Sequence, residues 1–304
     1  MLPVFNFPPS LRTAAIALAI LSVSACTVDD SPGGEGKDNS SDALPARRIG
    51  LPLDSYMLDD FQLYKSSVLL RELSISCMKK YDHKEFTLDS PPEPGISVAN
   101  ERRYGITDGV LAAKNGYRVP EQVKEPDSGH EISPEEAFTL TGGSTDPGTV
   151  GKGGVDSHGN QIPRGGCKGQ ALKKLGYTPT GVPGNPQFVQ DLSLSSFQES
   201  MKHPEVKDAL SKWAACMSKS GYTYKAEPFS ASNDPRFSTP EAGELEKSVA
   251  VADVSCKNSS GLIVAWQGVE SAIQRDLIRK NQRKLEPIKH QRDITVRAIE
   301  SQWK

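Results

Sequence analysis

The chain has 304 residues and a formal net charge of −2, and 36% of its residues are hydrophobic. A chain this close to neutral has no overall excess of positive charge for nucleic acid, so we expect no nucleic-acid partner. The mean hydropathy of −0.47 is low for a compact globular protein, and the 26 glycines and 22 prolines predict that much of the chain is loop.

The N-terminus contains an apolar stretch, residues 13–22, with the sequence TAAIALAILS. A helix of this length is too short to cross about 30 Å of hydrocarbon, but it has the length of the apolar region of a signal peptide. A buried core helix is disfavoured because the residues that follow are polar and rich in Gly and Ser. We therefore expect residues 1–25 to be a lipoprotein signal peptide or a plain secretion signal.

The sequence VSAC, which ends at Cys26, resembles the lipobox of bacterial lipoproteins. In that family the cysteine thiol is diacylated, the leader is cut before it, and the cysteine becomes the new N-terminus. The resemblance implies a chain that contacts membrane lipid through Cys26 on the extracytoplasmic face of the cell membrane. A chain that is secreted without lipid is the alternative.

Residues 26–48 predict a flexible tether, because they are rich in Gly, Ser and Asp and offer no apolar face to bury. As a coil, a segment of this length has ends that lie roughly 25 Å apart. We expect the folded part to stand slightly off the membrane.

Four cysteines remain besides Cys26, namely Cys77, Cys167, Cys216 and Cys256. An even number in an exported chain suggests two disulfides, and no two are spaced as a C-x-x-C redox or zinc motif. Of the three pairings we favour Cys77–Cys167 with Cys216–Cys256, because each bond then closes one half of the chain. Four free thiols are the alternative.

The predicted fold class is mainly α, a disulfide-bonded helical body with long irregular loops and a long C-terminal helix. We divide it into an N-terminal half, residues 49–178, and a C-terminal helical half, residues 179–304. Apolar spacing predicts a helix over residues 58–81. Residues 89–165 are predicted to be irregular except for a short helix at 133–140, and the Gly-rich segment 141–160 reads as a flexible loop.

Helical signals are dense after Cys167. They predict helices at 168–177, at 186–202, from Pro204 to a stop at Gly221, from a start signature at 238–241 to Cys256, and from 262 to 303. In the fourth of these helices we expect a buried stripe of Leu245, Val249, Ala252 and Cys256. In the last helix we expect Pro287 to kink or break the chain.

Two short segments echo each other, SCMKKYDH from Ser76 and ACMSKSGY from Ala215. Each places Cys-Met near the end of a predicted helix, and Asp82 stands where Gly221 stands in the second copy. Duplication and chance both remain open explanations.

Several motifs together resemble a large group of exported actinobacterial lipoproteins: the lipobox, LLRELSISCMKKYD, RRYGITD, NGYRVP, GGCKGQA, and WAACMSKSGY followed by VADVSC. The resemblance implies a largely helical secreted body with two disulfides, and it brings no catalytic residues. Asp82-His83 departs from the Gly-aromatic ending expected there, which predicts a different cap for the first helix.

Motifs that carry chemistry occur only as fragments. Ser76 to Lys79 fits S-x-x-K but lies at a predicted helix end, and DPGTVGKGG (146–154) lacks the first Gly and the final Ser/Thr of a P-loop. The five histidines are scattered. We therefore predict no catalytic, cofactor-binding or metal-binding residues. The sequence leaves enzymatic activity undecided but favours a protein that is not an enzyme.

The leading functional hypothesis is a binding or interaction module at the cell envelope. One alternative is an envelope enzyme whose site is assembled from distant residues. Another is a structural or regulatory partner of a membrane protein that uses the C-terminal helix, where basic residues outnumber acidic ones between Arg275 and Arg297. That stretch is either an ordinary solvated face or a basic arm for anionic lipid or cell-wall polymer.

Overall fold

The computed structural model describes residues 49–92, 100–119, 129–144, 149–178 and 185–303. The predicted signal peptide, Cys26 and the tether lie outside these residues. The described residues belong to one compact unit, Asp42–Lys304. They confirm the mainly α fold class, including the long C-terminal helix.

The first part of the described chain holds four α-helices: α1 (Asp60–Met78), α2 (Gly109–Asn115), α3 (Pro134–Thr141) and α4 (Gly166–Lys174). Short 3-10 helices span Pro52–Tyr56 and Lys79–Tyr81. Two short strands, β1 (Gly154–Val155) and β2 (Gln161–Ile162), pair antiparallel with Gly154 opposite Ile162.

The second part is a set of longer helices: α5 (Pro186–Ser200), α6 (Pro204–Lys219), α7 (Glu244–Ser259), α8 (Leu262–Lys280) and α9 (Gln282–Gln302). Local signals set their starts. Asn185 and His203 cap α5 and α6, and a proline follows each cap at the first helical position.

The structure has the favoured disulfide pairing. Cys77 of α1 bonds Cys167 of α4, and Cys216 of α6 bonds Cys256 of α7. Each bond therefore joins two packed helices.

The largest apolar core lies among α6, α7 and α8 and includes Val206, Leu210, Trp213, Met217, Val249, Ile263 and Trp266. A smaller core surrounds the bond between Cys77 and Cys167. Helix α1 packs on both α4 and α9, and α2 packs on α7. The two predicted halves therefore share helix contacts as well as having separate disulfides.

The expectation of an irregular segment over 89–165 was wrong in part, because α2 and the β1–β2 hairpin lie inside it. Asp108 caps α2 by accepting from the amides of Val110 and Leu111. Gly116 ends the helix with a φ of +58°. Seven residues give too short a window for periodicity to reveal the helix.

The predicted start of α7 was also wrong, as was Leu245 in its stripe, whereas Val249, Ala252 and Cys256 do pack in the core. The Thr239 hydroxyl donates to the Glu241 carbonyl in a local turn, and the helix begins at Glu244 after Gly243. Leu245 is 46% exposed, whereas Glu246 is buried with Val249. The buried face of α7 carries charged side chains, which an apolar pattern does not report.

The C-terminal helical segment breaks at Asn281, not at Pro287, which lies inside α9. The side-chain amide of Asn281 donates to the Leu277 carbonyl at 2.9 Å and so competes with the helical pattern. Pro287 has no N–H to donate to the Arg283 carbonyl, which therefore lacks its helical partner. Both residues are exposed. Water can satisfy that carbonyl, which makes the proline tolerable.

Asp82 ends the first helical segment in the same way as Gly221 ends α6, so the prediction of a different cap was wrong. Asp82 has a φ of +66° and Gly221 a φ of +88°. The next residue in each case, His83 or Tyr222, donates its amide to the carbonyl five residues earlier. Both are left-handed helix terminations.

Candidate functional site

A cleft opens between the core helices α6, α7 and α8 and the loop of residues 225–232. The space it encloses is about 20 Å³, room for about one water-sized molecule, and about 290 Å³ when the open solvent at its mouth is included. Its principal lining residues are Tyr104, Trp213, Phe229, Asp253, Lys257 and Trp266. We call it the aromatic cleft.

Helix α7 supplies the buried charged groups of the aromatic cleft. Lys257 Nζ donates to Asp253 Oδ2 at 2.9 Å and to the Ile106 carbonyl at 3.1 Å. Asp253 Oδ1 accepts from Trp213 Nε1 at 2.8 Å. The Lys257 and Asp253 side chains are only 9% and 4% exposed, and their pairing offsets the cost of burying each charge.

The Lys257 ammonium has one N–H more than the acceptors that the described residues place around it. An ammonium has three N–H groups, and among the described residues two acceptors lie within hydrogen-bonding distance of Nζ. Lys257 is also one of the residues that line the cleft.

Successive residues of the segment RRYGITD make contacts in and behind the cleft. Arg103 pairs with Glu270, Tyr104 stacks on Trp266 with ring centroids 5.0 Å apart, and the next residue is Gly105. A Cβ on Gly105 would lie 2.6 Å from Lys257 Nζ, so a side chain there would have to displace the ammonium.

Stacked aromatic rings form the floor of the cleft. Trp266 stacks on Phe197 with an interplanar angle of 9° and a centroid distance of 5.6 Å. Phe229 covers the same indole from the loop side at 6.1 Å. Rings in this arrangement present flat apolar faces with fixed geometry.

Phe229 has a φ of +60°, the left-handed conformation that a bulky residue rarely adopts. The base of its loop is fixed by Tyr224, which donates to Asp234 Oδ2 at 2.9 Å, and by Arg236, which pairs with the same carboxylate. Hydrogen bonds from Arg236 hold the pKa of Asp234 well below its usual range. Burial, then the bond to Asp234, raises the pKa of Tyr224 to about 12.

A second buried carboxylate, Glu270 of α8, lies outside the cleft lining and is fully enclosed. It accepts from Arg103 Nε at 3.0 Å, from the Tyr104 hydroxyl at 2.8 Å and from Ser196 Oγ at 2.9 Å. Burial, followed by this carboxylate, raises the pKa of Tyr104. Glu270 therefore ties α5, α8 and the 102–105 segment together behind the floor.

Residues of the motif NGYRVP contact a third buried carboxylate, that of Glu246. Its carboxylate accepts from the Tyr117 amide at 3.0 Å and from Arg118 Nη2 at 3.1 Å. A Cβ on Gly116 would lie 2.8 Å from the same side chain. This motif therefore positions the start of α7.

The residues singled out from the sequence do not converge on the cleft. Cys26 lies outside the described residues, and the other four cysteines are disulfide-bonded. In the P-loop-like segment, the Gly153 amide donates to the Gly142 carbonyl at 2.9 Å, so it is engaged within the fold. Across the described ranges no three His, Cys, Asp or Glu side chains form a metal-binding group.

Sequence reasoning missed Asp253, Lys257 and Phe229. The first two stand four residues apart on α7, a spacing that usually marks an exposed ion pair. The available signal was that this pair lies on the same helix face as Cys256, which was already predicted to be buried.

Comparison with known proteins gives no match: no protein-family model, no curated protein and no solved structure matches this chain. Within the described residues, no helix combines the length and the apolar character that crossing a membrane requires.

Proposed function

We propose that this chain is a lipid-anchored binding module on the extracytoplasmic face of the cell membrane, a member of the actinobacterial lipoprotein group that its motifs resemble. Its ligand is a small uncharged molecule that enters the aromatic cleft. The observation that carries this proposal is the buried Lys257 ammonium, which lines a cleft floored by aromatic rings and has two acceptors among the described residues for its three N–H groups.

The charges around the cleft favour an uncharged ligand. Lys257 and Asp253 neutralise each other, and Glu227 adds a negative charge at the exposed edge. An anion would meet two carboxylates against one ammonium. A ligand with a carbonyl or hydroxyl oxygen accepts from Lys257, and its own hydroxyls can donate to the lone pairs that Asp253 retains.

Phe229 supports a binding role because it stands on the loop that covers the cleft. Strained backbone at a non-glycine residue costs on the order of 1–3 kcal/mol and clusters at ligand clamps and switch regions. The 225–232 loop carries such a residue over the floor formed by Trp266. Closure of Phe229 over a bound ligand would add a second aromatic face.

The test uses tryptophan fluorescence, because two of the three tryptophans line the cleft. The third, Trp303, contacts Tyr64 on α1 and is replaced by phenylalanine to remove its background. Acetamide, glycerol and N-acetylglucosamine serve as neutral probes, with acetate and phosphate as anionic ones. A saturable change with a neutral probe and none with the anions is the expected result.

Two variants link the signal to the cleft. Lys257→Met removes the donor but leaves Asp253 without its counter-charge. Phe229→Gly removes the covering ring and leaves that ion pair intact. Each variant is expected to weaken binding at least tenfold. Val264→Ala, on an exposed position of α8, is the matched control and leaves binding unchanged. A flat response to all three neutral probes contradicts the proposal.

A further inference from the structure

The junction between α8 and α9 carries a dense group of positive charges. Five basic residues and one acidic residue lie between positions 275 and 284. The basic residues are all exposed, and we call them the basic joint: Arg275, Arg279, Lys280, Arg283 and Lys284. Arg279 and Lys280 keep 76% and 69% of their side-chain surface exposed.

Nearby acids neutralise only part of this charge. Asp276 accepts from both Arg279 at 2.8 Å and Lys280 at 2.6 Å. No carboxylate of the described residues pairs with Arg275 or Arg283, and Lys284 Nζ lies 5.2 Å from the ring centre of Phe188. Of the next acids along α9, Glu286 is exposed and Asp293 is already paired with Lys289 and Arg292.

The apolar side chains of the same segment hold the basic joint in place. Leu285 is fully buried and Ile278 is packed in the same cluster with Leu53 and Val189. The charges therefore stand on an ordered helical surface with their apolar neighbours turned inward. Such a surface can meet several phosphate groups at once without paying for the ordering of a free tail.

We propose that the basic joint binds the phosphate groups of anionic lipids in the membrane that carries the Cys26 anchor, an inference that rests on the location in the proposed function. Charge complementarity favours this partner, since each basic residue near an anionic leaflet adds to the attraction. Chain length favours it as well, because a coil as long as residues 26–48 spans about the distance from the start of the described chain to the basic joint.

The described chain begins beside α8, where the Gly50 carbonyl accepts from Gln267 Nε2 at 3.0 Å. From Gln267 to Arg279 the helix rises about 18 Å, at about 1.5 Å per residue. A coil of the length of residues 26–48 has ends roughly 25 Å apart. The anchor and the basic joint can therefore engage one membrane surface together, which raises the effective concentration of the second contact.

In this arrangement the aromatic cleft and the basic joint lie toward opposite ends of α8. Trp266 of the aromatic cleft lies about 20 Å along α8 from Arg279, at the same helical rise. With the basic joint on the lipid headgroups, the cleft stands at the far end of α8.

The experiment uses the chain from residue 26 onward, with Cys26→Ser to remove the lipid, and co-sedimentation with vesicles. Vesicles of mixed phosphatidylglycerol and phosphatidylcholine are expected to bind the chain, and pure phosphatidylcholine is not. Added salt weakens the binding because it screens exposed charges. The triple variant Arg275→Glu, Arg283→Glu, Lys284→Glu is expected to lose at least tenfold in the bound-to-free ratio.

The matched control is Lys168→Glu, Lys207→Glu, Lys219→Glu, which makes the same change of net charge at exposed positions on α4 and α6. It is expected to bind vesicles at least threefold better than the first triple variant. Equal losses in the two variants, or no binding to phosphatidylglycerol, overturn the inference. Binding to soluble polyphosphate without binding to vesicles also overturns it. Because Cys26 is absent from this assay, its failure leaves the anchored binding module itself untouched.

Discussion

The ammonium of Lys257 occupies the space that a side chain on Gly105 would need, since a Cβ there would lie 2.6 Å from Nζ. Gly105 has a φ of +84°, which a residue with a side chain adopts only at a cost. The RRYGITD segment and α7 are thus fitted to each other at this one glycine. This contact explains why the motif places a glycine between Tyr104 and Ile106.

Gly105→Ala is expected to lower the free energy of unfolding by about 2–5 kcal/mol, because a left-handed alanine costs about 1–2 kcal/mol and overpacking adds about 1–3 kcal/mol. Gly221→Ala is the matched control, since Gly221 has nearly the same φ, +88°, and nothing within 4 Å of its Cβ position. It is expected to show the conformational cost only. Urea unfolding of both variants measures the difference, and equal losses would show that Lys257 is not confined as described.

Glu270→Gln is expected to destabilise the fold by about 3–5 kcal/mol, because it leaves Arg103 without its counter-charge in a buried site. Glu300→Gln provides the comparison. Glu300 also accepts from a basic residue, Lys65 at 3.0 Å, but its side chain is 51% exposed. An exposed pair contributes about 0–1 kcal/mol, so thermal and urea unfolding should separate the two variants clearly. Similar small losses in both would mean that Glu270 is not the tie between α5 and α8.

Asp82→Gly is expected to stabilise the chain by about 0.5–1 kcal/mol. Asp82 holds a φ of +66° at the end of the first helical segment, where glycine avoids the steric cost. The reciprocal change, Gly221→Asp at the equivalent position of α6, should destabilise by a similar amount. Denaturant midpoints of the two single variants test the symmetry, and a loss of stability in Asp82→Gly would refute the shared termination.

Acid should weaken the base of the 225–232 loop through Asp234. Arg236 holds the pKa of this carboxylate below its ordinary value of about 3.9. A group with a lowered folded-state pKa contributes stability above its unfolded value and loses it as the pH falls toward the folded value. The stability difference between the wild type and Asp234→Asn should therefore be constant from about pH 7 to 5 and shrink below about pH 4. Urea unfolding across this range measures it, and a difference that grows on acidification would reverse the assigned sign.

Local signals predicted much of the helical frame. Pro186 and Pro204 mark the starts of α5 and α6 in both the sequence and the structure, because a proline at the first helical position acts within its own turn. The Cys216–Cys256 pairing was favoured because each bond then closes one half of the chain. The two cysteines stand on helices that pack together.

The aromatic cleft could not be predicted in the same way, because its contacts join residues far apart in the chain. Trp213 reaches Asp253 across 40 positions, and Lys257 reaches the Ile106 carbonyl across 151. A periodicity analysis treats Asp253 and Lys257 as solvent-facing, since it has no means of showing that each charge meets a distant partner. The same limit hid Glu246 and placed Leu245 on the wrong face of α7.

The measurement that bears most directly on the central claim is mass spectrometry of non-reduced peptides from protein extracted from native membranes. The anchored binding module predicts a mature N-terminus at Cys26 that carries a diacylglycerol mass. It also predicts peptides linked through Cys77–Cys167 and Cys216–Cys256 in the same sample. An unmodified Cys26, or protein recovered only outside the membrane fraction, would contradict the anchored location on which the proposed function depends.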